Sequence, residues 1–316
     1  MDKTWMLSQE MTELMINNQP DSEQVTQLFP EKRQVPLEGL YLGQRLADLS
    51  AKIGKTLVIT DFLTDRNGII AVADERRNFR VPLDLRNASD WRLFQELLAQ
   101  ADVIISGEAY LKRLSVPGSQ VEDVLSQFEP GKGFEDLGEW RLGAGYKKRS
   151  PDLAIVTRSL DFKIPQGVLE SSRRITIFTT LDLAASKEAR ALTSPQVSVV
   201  GSGEAGVEGE RMVDYLDHEM GYRIIMMATG PRVLQLLLKA NRLDLLFITE
   251  AQMEIAVDDP SSVQVILPEG KKINELKEFS LTHQYLQENV VTKKGSHISQ
   301  VFLRYDRKGL LSGRAW

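Results

Sequence analysis

The segment from Gly221 to Val257 limits the possible folds most, because it reads as strand, tight turn, helix and strand. Arg223 to Met227 is a short apolar run followed by Thr229-Gly230-Pro231, an arrangement typical of a buried strand that ends in a turn. Pro231 suits the first turn of a helix, where no amide donor is needed. A second apolar run follows from Leu243 to Thr249. We therefore predict a βαβ unit.

The turn after the first of these strands is a candidate anion site. A helix that begins just after a strand points free backbone N–H groups past the strand end, and its dipole favours negative charge there. Two interpretations remain open at this point, a plain connection without a ligand and a phosphate-binding turn.

Composition narrows the class of protein. The chain has 316 residues, of which 42% are hydrophobic and 26% charged, as in an ordinary globular protein. A formal net charge of -5 argues against sequence-independent nucleic-acid binding. The absence of cysteine excludes disulfides and thiolate chemistry and indicates a reducing cytoplasm. No apolar run approaches the roughly 18 residues of a membrane span, and the three histidines show no metal spacing. We expect a cytoplasmic protein with no metal, nucleic-acid or membrane partner.

The first 54 residues are predicted to be a helical extension and a linker before the main domain. The polar segment from Asn17 to Pro36 predicts the linker, and a second helix is predicted from Leu40 to Leu49, ending at Gly54. Apolar residues at helical spacing predict an earlier amphipathic helix, whose face covers either the core or a partner subunit. These residues are Leu7, Met11, Leu14 and Met15.

Two more strand ends have turn signals. The β-branched run Thr56 to Leu63 leads into Thr64-Asp65-Arg66-Asn67-Gly68. Ala101 to Ile105 is a strand that ends at Ser106-Gly107, and a helical turn opens at Glu108, which makes a second phosphate-receiving turn. A helix is predicted from Asp90 to Gln100. Further strands are predicted at Leu153–Thr157, Ile175–Thr180, Val197–Val200 and Val263–Leu267, with Ile298–Tyr305 as the final edge strand.

Residues 115 to 150 are predicted to be irregular, because five glycines lie among basic residues. Long loops of this kind are usually solvated insertions. The alternative is a mobile lid that brings cations to a phosphorylated ligand.

The stretch Gly201 to Gly206 matches the dinucleotide motif G-x-G-x-x-G between a strand and a helix. In a Rossmann site the next strand ends in an acidic residue, but here it ends in Ala228-Thr229. Glu204 and Glu208 also place negative charge where a pyrophosphate would lie. We therefore place the cofactor elsewhere and expect Gly203→Ala to cause little loss of cofactor affinity.

Four segments together resemble the reductase half of the bifunctional riboflavin-biosynthesis deaminase–reductase family. Residues 65–71, Asp-Arg-Asn-Gly-Ile-Ile-Ala, resemble its S-x-D-G-x-x-A turn. Residues 101–107 resemble its D-A-I-x-x-G strand end, residues 226–238 its E-G-G-x-x-L unit, and residues 301–305 its closing strand. The resemblance covers about residues 55 to 306. The deaminase half, whose zinc site needs cysteines, is missing.

The resemblance implies an α/β fold over residues 55–316 that is dihydrofolate-reductase-like, with a mixed, mostly parallel central sheet and helices on both faces. It also implies an NADPH-dependent reductase that acts on a phosphorylated pyrimidine-like molecule and forms a homodimer. Asp65 is the candidate catalytic acid, or alternatively a turn-capping residue. Asn67 and Tyr110 are candidate substrate contacts. The candidate cofactor contacts are Thr64, Gly107, Glu108, Thr229, Gly230, Pro231, Arg232 and Val233.

Arg232 fits the 2′-phosphate or the diphosphate by its charge and fork geometry, or it is a solvated surface arginine. The chain also departs from the family. The Glu and first Gly of E-G-G fall on Ala228 and Thr229, and the Ser and Asp of the first turn fall on Asp65 and Asn67. Two hypotheses follow: an NADPH-dependent reductase, and a nucleotide-binding homologue that has lost the chemistry or changed its specificity.

Overall fold

The computed structural model describes residues 23–75, 77–114, 127–268, 271 and 273–310. The predicted N-terminal helix with Leu7, Met11, Leu14 and Met15 lies outside the described residues. Residues 115–126 of the predicted loop also lie outside them.

Within the described residues, eleven strands form one large sheet, and three short strands form a second sheet. The large sheet contains β1 (Gln24–Phe29), β2 (Arg33–Pro36), β3 (Leu57–Thr64), β6 (Val103–Gly107), β7 (Asp152–Val156), β8 (Ile175–Thr179), β9 (Val197–Gly201), β10 (Ile224–Met227), β11 (Leu245–Ala251), β13 (Phe279–Val291) and β14 (His297–Arg307). The small sheet contains β4 (Ile69–Ala73), β5 (Phe79–Arg80) and β12 (Val263–Val265).

The helices of the described residues connect these strands. They are α1 (Leu46–Ile53), α2 (Ala88–Gln100), α3 (Glu108–Leu114), α4 (Glu135–Gly143), α5 (Gln166–Leu169), α6 (Leu181–Ala184), α7 (Lys187–Leu192), α8 (Gly209–Asp214) and α9 (Pro231–Lys239). A π-helical turn, Tyr215–Glu219, extends α8, and a 3-10 turn, Leu42–Gln44, precedes α1. Gly54 caps α1 in the left-handed conformation (φ 69°), which confirms the predicted helix end.

The large sheet has the order β2-β1-β13-β14-β11-β3-β10-β6-β7-β8-β9. The seven strands from β11 to β9 in this order are parallel, whereas β14, β13, β1 and β2 pair antiparallel. The sheet is thus mixed and mostly parallel, as predicted, and the βαβ unit from β10 through α9 to β11 is confirmed.

Residue alternation along the strands divides the core between the two faces of the sheet. In β3, Leu57 and Ile59 pack in one cluster with α2 and α4, while Val58 packs in the other cluster with α8 and α9. We call the first the α2 face and the second the α9 face. Helices therefore cover both faces, which confirms the predicted layers.

The predicted linker is wrong for its described part. Residues 24–29 and 33–36 form the hairpin of β1 and β2, and Thr26 of β1 pairs with Leu286 of β13. Only alternate residues of β1, such as Val25 and Gln27, are buried. Because the remaining residues are mostly polar, the segment lacks the apolar run from which a strand would be predicted. The division of the chain at residue 54 stays a prediction.

The predicted irregular loop is also wrong in part, because α4 packs on α2. Leu137 and Trp140 of α4 belong to the α2-face core. Gly138 is one of the glycines from which the loop is predicted. In the structure the helix needs a glycine there, since a Cβ atom would lie 2.4 Å from the carbonyl oxygen of Phe128. Strand β14 is likewise not an edge strand, because it lies between β11 and β13.

Arg141 of α4 tests whether this segment belongs to the core. It is buried, and its Nη1 donates to the carbonyl oxygens of Ala99 and Ala101, each at 2.7 Å. Arg141→Leu should lower the free energy of unfolding by roughly 2–4 kcal/mol, because two buried carbonyls lose a charged donor. Urea unfolding measures this change. Lys132→Ala, an exposed cation of the same segment, is the matched control and should have little effect.

Candidate functional site

The strand order predicts a ligand-binding crevice at the carboxyl ends of the central strands. Strand β6 leads to α3 on the α2 face, whereas its neighbour β10 leads to α9 on the opposite face. In open α/β sheets, ligands bind outside the carboxyl ends of the strands where successive connections leave on opposite faces. The turn after β10 is therefore the place to look for a ligand.

The two predicted strand-end turns meet there. A Cβ atom on Gly107 would lie 3.4 Å from Oγ1 of Thr229. The amide of Ala228 donates to the carbonyl oxygen of Ile105 at 2.9 Å, which fixes the turn beside the end of β6. The turns at Gly107 and Thr229, which are 122 residues apart in the chain, thus lie side by side.

Gly230 borders open space. It is the N-cap of α9, and a Cβ atom there would meet nothing within 4 Å. Pro231 occupies the first turn as predicted, Arg232 is exposed, and Val233 is buried and anchors the helix. The half-exposed turn from Thr229 to Pro231 and the start of α9 together offer backbone and a cation to a ligand in the crevice.

Glu108 links the ends of β6 and β7. Its carboxylate accepts hydrogen bonds from the Thr157 hydroxyl, from the Ser159 hydroxyl at 3.1 Å and from the Lys112 ammonium at 3.3 Å. Partial burial raises the pKa of Glu108, but these hydrogen bonds outweigh it and hold the pKa below its ordinary value. Because a negative charge repels phosphate, Glu108 positions the strand ends and does not suit a direct phosphate contact.

Asp65 anchors the turn between β3 and β4. Its carboxylate accepts hydrogen bonds from the amides of Asn67 (2.9 Å), Ile69 (2.8 Å) and Ile255 (2.9 Å), and the residue is fully buried. Both oxygens are thus occupied by backbone donors. This geometry favours the turn-capping alternative over a catalytic role.

The remaining candidates lie around the same turn or on α3. Thr64 is buried at the end of β3, and Asn67 is exposed at the tip of the turn. Tyr110 is half-buried and packs against the α2-face core. The site assignments of these three residues stay predictions.

A buried polar cluster beside the crevice was missed at the sequence level. Among the described residues, Oδ1 of Asp61 and the hydroxyl oxygen of Tyr41 are shielded from solvent there and have no hydrogen-bond partner. Asp90 and Thr249 lie with them, and the Thr249 hydroxyl interacts with the Asp90 carboxyl group. We call these four residues the carboxyl cluster.

The register of the sheet shows where the carboxyl cluster lies. Asp61 is two residues beyond Ile59, so its side chain is on the α2 face. Met227 pairs with Thr60, so Ala228 is level with Asp61 on the neighbouring strand, roughly 4.8 Å away. Thr249 lies on β11, the neighbour of β3 on its other side.

Asp90 reaches the cluster from the first turn of α2. The N-cap Asn87 accepts a hydrogen bond from the Asp90 amide at 2.9 Å and donates to Gln300 at 2.8 Å. Gln300 pairs with Ala251, so α2 begins level with the carboxyl end of β11. The ring of Tyr41 lies 4.9 Å from that of Phe247, which is the cross-strand partner of Asp61.

Burial dominates the electrostatics of the cluster. It raises the pKa of Asp61 well above the ordinary value, and the charge of Asp90 raises it further. Burial also raises the pKa of Asp90 to about 6, against a lowering by the Thr249 hydroxyl. The pKa of Tyr41 is raised by burial and then by the charges of Asp61 and Asp90. A charged residue at an inward position of the apolar run Leu57 to Leu63 was the available sequence signal.

The G-x-G-x-x-G stretch lies far from this crevice. Strand β9 is the edge strand, four strand spacings from β10, or roughly 19 Å. The glycines serve close packing. A Cβ on Gly203 would lie 2.1 Å from the carbonyl oxygen of Gly206, and one on Gly209 would lie 2.6 Å from that of Leu236 in α9. The expectation that Gly203→Ala causes little loss of cofactor affinity stays a prediction, while the close contact indicates that the substitution strains the loop.

Solved structures of riboflavin-pathway reductases have a similar fold. A pyrimidine reductase-like protein from Corynebacterium diphtheriae is similar with a TM-score of 0.51 and 17% identity, over 81% of this chain and 94% of that chain. RibD from Acinetobacter baumannii has a TM-score of 0.51 and 10% identity, over 81% of this chain and 59% of that chain. The deaminase/5-amino-6-(5-phosphoribosylamino)uracil reductase from Thermotoga maritima has a TM-score of 0.51 and 14% identity, over 83% and 60%.

These likenesses define the class of fold. The chain has the dihydrofolate-reductase-like α/β fold of riboflavin-pathway reductases, as predicted. It spans about 60% of the two bifunctional proteins' length. No protein-family model and no curated protein sequence matches it. Within the described residues, no helix is long and apolar enough to span a membrane, and no three acidic or histidine side chains form a metal site.

The buried carboxyl cluster makes the stability of the protein depend on pH. The raised pKa of Asp90 means that the folded state holds a proton more tightly than the unfolded state. Stability should therefore fall as pH rises from 3.8 to about 6, by an amount on the order of 3 kcal/mol. Asp90→Asn should accordingly stabilise the protein at pH 7 and have little effect near pH 4, as measured by urea unfolding.

Asp65→Asn provides the contrast for that experiment. It replaces an oxygen that accepts backbone hydrogen bonds with an amide donor, so it should destabilise the protein at both pH values. If Asp90→Asn is destabilising at pH 7, burial does not raise the pKa of Asp90 as described.

Gly203→Ala should destabilise the protein by roughly 1–3 kcal/mol, because the added Cβ forces the loop away from the carbonyl oxygen of Gly206. Thermal unfolding measures the effect. Gly167→Ala is the matched control, since a Cβ there meets nothing within 4 Å. An unchanged melting temperature for Gly203→Ala would show that the loop packs less tightly than described.

Proposed function

We propose that this chain is an NADPH-dependent reductase of a phosphorylated pyrimidine-like compound, similar to the 5-amino-6-(5-phosphoribosylamino)uracil reductase of riboflavin biosynthesis. The observation that supports it is the meeting of the Gly107 and Thr229 turns at the crevice of a dihydrofolate-reductase-like fold. We further propose that it acts as a homodimer in the cytoplasm, as soluble reductases of this fold would.

The residues of the crevice fit a dinucleotide. The open space at Gly230 lets a ligand approach the backbone closely, and a side chain there would fill that space. The N-terminus of α9 offers N–H groups and a positive dipole end, worth roughly 0.3–1 kcal/mol to a bound phosphate. Arg232 would add a charge-assisted hydrogen bond to the 2′-phosphate or the diphosphate.

The bound nicotinamide would supply the hydride, and the protein would supply placement and exclusion of water. Glu108 would hold the ends of β6 and β7 in register beneath the cofactor through Thr157 and Ser159. Asp65 would hold the adjoining turn in shape through its three backbone partners.

The second candidate function is a nucleotide-binding homologue without this chemistry. It is favoured by Ala228, which replaces the family's Glu, and by the full occupancy of the Asp65 carboxylate. The carboxyl cluster favours the reductase instead. Asp61 is level with Ala228, so its carboxyl group lies beside the turn where the family's Glu is missing. Titration with NADPH followed by single-turnover oxidation of NADPH with the pyrimidine substrate separates the two functions.

Gly230→Val should nearly abolish NADPH binding without disturbing the fold. The backbone of Gly230 is extended (φ -76°, ψ 178°), which any residue adopts, and no protein atom opposes the new side chain. Fluorescence titration with NADPH measures binding. Gly167→Val lies in α5, near Gln196 at the amino end of the edge strand β9, and serves as a control away from the centre of the sheet.

Arg232→Ala should weaken NADPH binding by about tenfold or more, equivalent to about 1.4 kcal/mol. It should weaken NADH binding less if the 2′-phosphate is its partner. Normal NADPH binding by Gly230→Val, together with loss of binding in folded Gly203→Ala, would overturn this placement and favour the edge loop.

A further inference from the structure

The carboxylate of Glu108 is fixed at the carboxyl ends of β6 and β7. Its Oε2 accepts hydrogen bonds from the hydroxyl groups of Thr157 and Ser159, the second at 3.1 Å, and its Oε1 accepts one from the Lys112 ammonium at 3.3 Å. Partial burial raises the pKa of Glu108, but these hydrogen bonds keep it below its ordinary value, so the group is ionised at pH 7. A fixed negative charge therefore lies next to Gly107, at one of the two turns that meet at the crevice.

This carboxylate can accept one more hydrogen bond. An ionised carboxylate has about four acceptor positions and no donor. Described residues occupy two positions on Oε2 and one on Oε1 of Glu108. The side chain is 28% exposed, so a ligand can reach the remaining position. A hydroxyl group of a ligand can donate there, whereas a phosphate group carries a charge of roughly −1.5 to −2 and is repelled.

The strand order decides which part of a dinucleotide reaches Glu108. With the diphosphate at the N-terminus of α9, which follows β10, the two halves of the dinucleotide extend in opposite directions along the strand ends. On one side of β10 lies β3 with the carboxyl cluster, and on the other side lie β6 and then β7. The nicotinamide half, which must meet a substrate, takes the β3 side. The adenosine half then lies over the ends of β6 and β7, up to roughly 10 Å from β10.

The neighbouring cations offset the charge of Glu108 only in part. Lys112 is exposed and donates to the same carboxylate, so it reduces the repulsion of a phosphate without removing it. Arg158 is directed toward the loop after β9, because its Nη2 is 4.0 Å from the point where a Cβ atom of Gly206 would lie. A phosphate on the adenosine ribose would therefore meet a carboxylate that is only partly compensated.

We infer that Glu108 accepts a hydrogen bond from the adenosine ribose and disfavours a phosphate on it, so that the proposed reductase uses NADH as well as NADPH. This inference rests on the proposed function and specifies how its cofactor site discriminates. The ribose hydroxyl groups of NADH gain a charge-assisted hydrogen bond, and the 2′-phosphate of NADPH is opposed by the same oxygen. Arg232, at the start of α9, is left to the diphosphate, which both cofactors share.

Fluorescence titration of the full-length protein with NADH and with NADPH tests the inference without turnover. The two dissociation constants of the original protein should be of the same order. Glu108→Gln keeps an acceptor oxygen for Thr157 and Ser159 but removes the charge. It should tighten NADPH binding about tenfold, equivalent to about 1.4 kcal/mol, and should not tighten NADH binding.

Glu170→Gln is the matched control, because it removes the same charge from an exposed position elsewhere. Glu170 is the C-cap of α5, beside the amino ends of β8 and β9, whereas Glu108 lies at the carboxyl ends of the strands. The control variant should change neither dissociation constant. Glu108→Arg gives a check in the other direction, since a guanidinium at this place should make the site strongly selective for NADPH.

The outcomes separate this inference from the proposed function. NADPH binding with NADH weaker by about a hundredfold or more in the original protein, or an unchanged ratio of the two constants in Glu108→Gln, would overturn the inference and leave the reductase intact. Binding of neither cofactor would contradict the proposed function and the inference with it. Melting curves report whether the variants are folded, and the comparison of the two cofactors in the original protein does not depend on them.

Discussion

The parallel pairing of β10 between β3 and β6 is the constraint on which the rest of the structure depends. Met226 of β10 pairs with Ile59 on one side and with Ile104 on the other. Strands β6, β7, β8 and β9 follow one another outward from the centre of the sheet, and the chain then returns to the centre as β10. Its return to the centre sends the next helix to the opposite face, and this change of direction creates the crevice.

The same pairing decides which polar groups meet. The reductase family has a Glu at the position of Ala228. In this chain the acidic residue at that level of the sheet is Asp61, on the neighbouring strand β3. The protein keeps these carboxyl groups at a cost in stability, as the raised pKa of Asp90 indicates. Burial of groups that destabilise the fold is a common mark of sites selected for binding or chemistry.

Local signals explain what was predictable. The end of α1 at Gly54 and the turns at Gly107 and Gly230 were predictable, because each depends on a few consecutive residues. The class of fold followed from the order of such units. The hairpin of β1 and β2 was missed because its outward residues are polar and resemble a linker. Helix α4 was missed because Gly138 reads as a helix breaker although the close approach of Phe128 requires it.

The sequence predicted the parts of the candidate site that consist of backbone turns, and it did not predict the side-chain cluster beside them. The carboxyl cluster could not be found from local patterns, because its members come from a turn, two strands and a helix over about 200 residues of sequence. Asp65 was chosen because it follows a strand, yet its position in the turn gives it three backbone partners. A side chain's availability depends on its tertiary neighbours, which periodicity does not report.

The contact of Gly209 with Leu236 joins two parts of the molecule that sequence motifs treat as separate. Helix α8 begins against the backbone of α9, and α9 begins at the crevice. The two helices therefore pack at backbone contact distance, and the start of α8 helps to fix the position of α9 on the sheet. The loop that resembles a nucleotide-binding fingerprint thus serves close packing, and the helix that follows it supports the helix whose N-terminus lies at the predicted crevice.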